Sequence, residues 1–261
     1  MKYLKIILFV LILTSLTGCV SYTELNETAI IDTILIDKKD EQYIVTINML
    51  TPTKDDLEKR KTYTATNTSL DKCLSELYLS TTKKIAFSHL ELLAITPNIQ
   101  QEELKEIINL FLNRVDSRNT FSTIVVTNPD KLFDYKTKDI NELININHNE
   151  RGIVSIKQFD SIIKDILEMN VSYVPRIKIE DELIIEGYQS IYSETRLLSI
   201  DESIGYNFIT NNIKQGLFNI NDIGIKLNTS NTTIKVNKNK IDINITSSYQ
   251  VLNNNQNKKD S

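Results

Sequence analysis

Two cysteines, two histidines and a spread of carboxylates are the residues of this 261-residue chain with chemistry to offer. Cys19 has the clearest context. It follows Leu16-Thr17-Gly18, and small residues at that point let the backbone lie extended in a peptidase groove. A thiol directly after such a cut is the nucleophile that lipid transfer requires. Upstream stand Lys2 and Lys5, then an uncharged run from Ile6 to Leu16. That run is short of the about 20 apolar residues that span a bilayer, and it fits the roughly 7–15 residues of a signal-peptide core. The four residues read as a lipobox. Residues 1–18 are therefore expected to be a signal peptide, and Cys19 the lipid attachment site. Two or more acyl chains anchor a protein stably where one does not, so no further membrane segment is needed.

The other reactive residues lack motif spacing. Cys73 lies at an apolar helix position and reads as a buried thiol; with Cys19 committed to lipid there is no disulfide framework. His89 stands in Phe87-Ser88-His89-Leu90-Glu91, at what reads as the start of an apolar strand. It is either a hydrogen-bonded structural histidine or a contact residue whose charge moves near neutral pH. His148 is isolated. Neither histidine has cysteine or acidic neighbours at zinc-ligand spacing. No GxGxxG, GxxxxGK[ST] or GxSxG pattern occurs among the six glycines. Glu102 and Glu103 suit the start of a helix, where the dipole favours negative charge. Arg114, Asp116 and Arg118 read as a local ion-pair cluster. No catalytic residue, cofactor or metal ligand is expected. A serine–histidine–carboxylate triad would be assembled from distant positions and is not legible from spacing alone.

These residues need elements to position them. Ala29 to Ile36 and Tyr43 to Leu50 read as two strands joined at the charged turn Asp37-Lys38-Lys39-Asp40. Thr53 to Lys61 reads as a loop and Thr62 to Thr66 as a short edge strand. Ser69 is a helix N-cap, followed by a stripe of Leu70, Cys73, Leu74, Leu77 and Tyr78. Lys84 to Ile95 returns to the strand pattern. Leu104, Ile107, Ile108, Phe111 and Leu112 make a second helical stripe, and Phe159, Ile162, Ile163, Ile166 and Leu167 a third. Thr120 to Thr127 is strand-like. Lys131 to Gly152 is Asn-rich and weakly patterned, a loop with short helices. From Tyr173 strands dominate again, interrupted by the capping box Ser199-Ile200-Asp201-Glu202 and a helix stopped near Gly216. Ile234 and Val236, then Ile241, Ile243 and Ile245, alternate strictly.

Hairpins interleaved with helices give an α+β fold, with mixed β-sheets and helices packed on them in more than one domain. The expected division is 1–18 signal peptide, 19–175 an N-terminal α+β domain, 176–252 the start of a second α+β domain, and 253–261 a polar tail. Charged residues make up 25% and hydrophobic residues 41%, ordinary globular values. A net charge of −4 and a pI near 5.4 argue against nucleic acid as a partner.

The ordered segments resemble a known family, the C-subunit lipoproteins of spore germinant receptors (Ger(x)C). The resemblance starts at Leu16-Thr17-Gly18-Cys19 and Glu24-Leu25-Asn26. It continues through Ile36-Asp37-Lys38, Tyr43-Ile44-Val45-Thr46 and Lys84-Ile85-Ala86-Phe87-Ser88-His89-Leu90. Phe111 to Arg118 is similar to the family's Arg-Asp-x-x-x-Arg stretch, and Glu186-Gly187-Tyr188-Gln189 with the helix from Asp201 to the opening of its later domain. Val20 stands where the family usually has tryptophan, and Ser88 where it has glycine. The fold is expected to lack the C-terminal part found in family members. The resemblance implies a subunit without enzymatic activity, held by lipid on the outer face of the spore inner membrane. Its implied partners are the integral membrane A- and B-type receptor subunits, and its implied role is nutrient-triggered germination. A generic envelope solute-binding lipoprotein is the alternative, and a cell-wall hydrolase the third class.

Overall fold

A computed structural model describes residues 28–51, 59–220, 223–238 and 240–254. The expected signal peptide, Cys19 and residues 255–261 lie outside the described residues.

The first strand is central. β1 (Thr28–Lys39) pairs antiparallel with β2 (Gln42–Thr51) and parallel with β5 (Leu92–Ile95). The hairpin turn falls at Asp40 and Glu41, both with positive φ. β3 (Lys59–Asn67) extends β2 at the sheet edge, and its Arg60 and Lys61 suit an edge that must not recruit another chain. Beyond β5 come β6 (Ser122–Thr127), β7 (Val171–Ile179), β8 (Leu183–Tyr192) and β9 (Leu197–Leu198). The nine-stranded sheet runs β3-β2-β1-β5-β6-β7-β8-β9, with the short β4 (Lys84–Ala86) beside β1. Strands β1, β5, β6 and β7 are parallel, so all four start at the same end of the sheet.

Helices cover both faces. On one lie α1 (Leu70–Leu79), α2 (Gln101–Leu112) and α4 (Phe159–Met169), packed on Ile34, Ile36, Leu93, Val125 and Val174. On the other lie the 3₁₀ turn Pro129–Asp134, α3 (Thr137–Arg151) and α5 (Ile200–Ile209), packed on Leu35, Leu92, Ala94, Ile124 and Val126. Adjacent strand residues point to opposite layers, which is why the central strands read as unbroken apolar runs. The fold is α+β with mixed sheets, as the patterning indicates. A second sheet of β10 (Gly216–Ile220), β11 (Ile223–Asn237) and β12 (Lys240–Asn254) follows α5 and is antiparallel throughout.

Several local expectations shift. The strand expected over Lys84 to Ile95 is two strands, because the chain leaves β1 between Phe87 and Glu91. It does so beside a bulge that makes Asp32 an extra residue in β1, and Glu91 N–H donates to the Asp32 carbonyl at 2.9 Å. The weakly patterned 131–152 region holds one 15-residue helix, α3. Ile140 and Ile144, one turn apart, are its apolar anchors, and Gly152 ends it at φ 64°. Gly216 opens β10 rather than ending α5, which stops at Ile209. The division expected between residues 175 and 176 falls inside β7, and β8 and β9 continue the same sheet. The change of sheet comes at Gly216. The tail expected from Asn253 begins within β12.

Candidate interaction surface

The two segments 84–90 and 111–118 are distant in sequence and meet at the end of the sheet where the parallel strands start. Phe87 and Phe111 point inward. Their rings lie 6.3 Å apart, and Phe111 also meets Phe121 at 4.9 Å and Phe159 at 5.5 Å. All four rings are buried. Above them Arg114 forms a fork with Asp116, Nε to Oδ1 at 3.0 Å and Nη2 to Oδ2 at 3.2 Å. Arg114 Nη2 also donates to the Tyr78 hydroxyl at 2.7 Å, and the guanidinium stacks 3.9 Å from the Phe87 ring centre. Asp116 Oδ2 accepts from Phe87 N–H at 3.3 Å, the donor that β4 leaves free as it ends. Burial alone would lower the Arg114 pKa, but its hydrogen bonds to Asp116 and Tyr78 outweigh that and raise it. The arrangement fixes α1, the loop after α2 and the turn after β4 to one another.

What the clamp presents is a small outward surface. His89 is exposed at the tip of the turn, which is closed by Leu90 N–H donating to the Phe87 carbonyl at 3.0 Å. It does not start a strand, contrary to the expectation. Val115 is fully exposed between the two clamp residues. Arg118 is not drawn into the fork; its carbonyl accepts from Thr120 N–H. Tyr78 is the participant that sequence reasoning missed, because its place in the α1 stripe signals burial and not a hydroxyl contact.

The remaining residues of interest are structural. Cys73 is buried, and its Sγ donates to the Tyr43 carbonyl at 3.5 Å; burial pushes the thiol pKa up. Such a thiol is a poor nucleophile. His148 lies on α3 with its Nδ1 buried and lacking a hydrogen-bond partner, and burial lowers its pKa. Glu103 closes a capping box with Gln100 and accepts from Lys38 Nζ at 2.7 Å. Asp32, buried at the bulge, accepts from Asn48 Nδ2 at 2.9 Å and faces Arg60 at 3.7 Å. Burial raises its pKa, with Arg60 opposing. Among the described residues no three histidine, cysteine, aspartate or glutamate side chains are grouped so as to hold a metal. No helix among them is long and apolar enough to cross a membrane.

Gly187 marks the second family-like stretch. It sits in β8 at φ 129°, and a Cβ there would lie 2.1 Å from the Leu198 carbonyl oxygen. Only glycine lets β8 and the chain entering α5 approach so closely. Tyr188 N–H then donates to Ser203 Oγ at 2.9 Å, and Asn207 Nδ2 donates to the carbonyls of Gly152 and Ile153. These bonds fasten α5 to the sheet and to the end of α3.

No curated protein and no solved structure matches the chain. A family does, over residues 21–179, and it is described as the spore germination protein N-terminal domain. That stretch runs through the clamp and ends at the last residue of β7, so it takes in most of the large sheet. By that match the chain belongs to the spore germination proteins of the Ger(x)C type, the C subunits of germinant receptors.

Proposed function

We propose that this germination protein is a lipoprotein held through Cys19 on the outer face of the spore inner membrane. There it acts through contacts with the integral membrane A- and B-type receptor subunits, without a catalytic step of its own. One observation carries the reading. The clamp of Arg114, Asp116, Tyr78 and Phe87 spends four side chains on holding a turn whose exposed members are His89 and Val115. A rigid, solvent-facing tip built this way is suited to recognition, since fixing it in advance lowers the cost of binding. The tip lies at the end of the sheet where β1 begins, and Thr28 is nine residues from Cys19. An extended chain of that length spans up to about 30 Å, so a membrane-embedded neighbour is within reach.

The test is co-purification of the detergent-solubilised lipoprotein with the A- and B-type subunits, alongside nutrient-triggered germination rates. The variants are Val115→Glu and His89→Glu, both at exposed positions. Loss of co-purification and slowed germination at wild-type protein levels supports the reading. Unchanged co-purification with both variants removes the tip from the interface. An unmodified sulfur at Cys19 in the native protein removes the anchor.

A further inference from the structure

Among the described residues nothing covers one apolar face of the hairpin of β11 and β12. The register sets Ile234 opposite Ile243, Val236 opposite Ile241 and Thr232 opposite Ile245, all on one side. The five aliphatic residues are between 44 and 73% exposed. The opposite side carries the pairs Thr233–Asn244, Lys235–Asp242 and Asn237–Lys240. Lys238 lies at the turn, so residues 235–242 hold three lysines against one aspartate in a chain whose net charge is −4. An aliphatic face backed by lysines is the composition of an element lying in a membrane interface.

The direction of the hairpin agrees. Ile225 and Leu227 line an apolar groove with Ile204 and Phe208 of α5. Further along β11, Thr232 N–H donates to Asn211 Oδ1 at 3.1 Å and Thr232 Oγ1 to the Phe208 carbonyl, just past the α5 C-terminus. β11 therefore runs alongside α5 in the same direction, and Val236 stands about 13 Å beyond Thr232. Helix α5 itself points toward the start of β7: Ser203 meets Tyr188, opposite Pro175, and the Tyr206 ring one turn later lies tilted against Tyr173, with ring centres 4.7 Å apart. That is the end where β1 starts and where His89 and Val115 are presented.

We propose that the outer half of this hairpin is a membrane contact. Its Ile and Val face enters the acyl boundary of an anionic bilayer, while Lys235, Lys238 and Lys240 stay among the headgroups. The orientation rests on the reading that Cys19 anchors the chain.

The chain contains no tryptophan, so single tryptophans report without background. Val236→Trp and, on the opposite face, Thr233→Trp are made in the full lipoprotein and reconstituted into vesicles. The vesicles contain phosphatidylglycerol and brominated phosphatidylcholine. The expected result is blue-shifted, bromine-quenched emission for Val236→Trp and solvent-like, weakly quenched emission for Thr233→Trp. The difference should shrink when neutral lipid replaces phosphatidylglycerol or salt is raised. Equal, weak quenching of both overturns the proposal. So does a blue shift without quenching that grows with protein-to-lipid ratio, since the face is then covered by a second copy of the chain. Vesicle flotation and the mass of the N-terminal peptide are read on the same samples. Flotation without quenching sinks only the hairpin contact, whereas failure to float with an unmodified Cys19 sinks the anchor.

Discussion

Ile34, Leu93 and Val125 in the large sheet and Ile234, Ile241 and Ile243 in the small one are all strand aliphatics, yet the first three are buried completely and the others are open to solvent by nearly half or more. The large sheet has helices on both faces, so the apolar residues of its central strands are buried within residues 28–209, and exposed ones such as Ile184 and Leu197 fall only in β8 and β9 near its edge. Among the described residues the small sheet meets α5 and the end of α3 at its inner part, and its outer part meets neither. Identical side chains thus serve stability in one place and remain available for recognition in the other, because burial and not residue type decides what an aliphatic group contributes.

Mutations test that contrast directly. Phe111→Ala removes the ring at the centre of the aromatic cluster and should cost about 3–5 kcal/mol in chemical denaturation. A loss under about 1 kcal/mol would mean the cluster is loosely packed. Gly187→Ala combines a positive φ with a clash against the Leu198 carbonyl. We expect a loss of about 2–3 kcal/mol and a matching fall in Tm. Asp116→Ala frees the Phe87 amide and breaks the Arg114 fork, both partly in solvent, and should cost about 1–2 kcal/mol. Arg114→Lys should recover little of the coupling, since an ammonium cannot make the fork; a double-mutant cycle with Asp116→Ala measures it.

His148 adds a pH term. Its folded pKa lies below the ordinary value of 6.5 because its burial disfavours the charged form. The unfolded chain therefore takes up the proton first as pH falls, and stability drops below about pH 6.5. His148→Gln should flatten the difference in denaturation midpoint between pH 7.5 and 5.5, and an unchanged slope assigns the pH dependence to other groups. The smallest effect is expected at the open face: Ile243→Thr should change stability by no more than about 0.5 kcal/mol. A cost comparable with that at Phe111 would show the hairpin face to be buried and would break the comparison.

The local devices were legible in the sequence. Ser69 caps α1, with Oγ accepting from Lys72 N–H, and Ser199 and Glu202 form both bonds of a capping box. The hairpin of β1 and β2 and the helices α1, α2 and α4 followed from periodicity, although Leu112 and Leu167, counted in the apolar stripes, are exposed. What escaped depends on partners far along the chain. The break between β4 and β5 is set by Asp116, 29 residues from Phe87, and the place of Arg114 by Tyr78, 36 residues away. Helix α3 escaped because only Ile140 and Ile144 anchor it in an Asn-rich stretch, leaving almost no apolar stripe to count. The Ile241, Ile243, Ile245 alternation was visible, but alternation alone says that one face is apolar and not whether anything covers it.

The central position of β1 has a mechanical consequence. Any pull on the chain ahead of Thr28 loads β1 lengthwise while β2 and β5 grip it from either side. Ladder hydrogen bonds lie roughly across that direction, so they must shear together instead of peeling apart one at a time. A pull on the segment ahead of β1 therefore meets the resistance of the whole sheet and does not unravel it strand by strand.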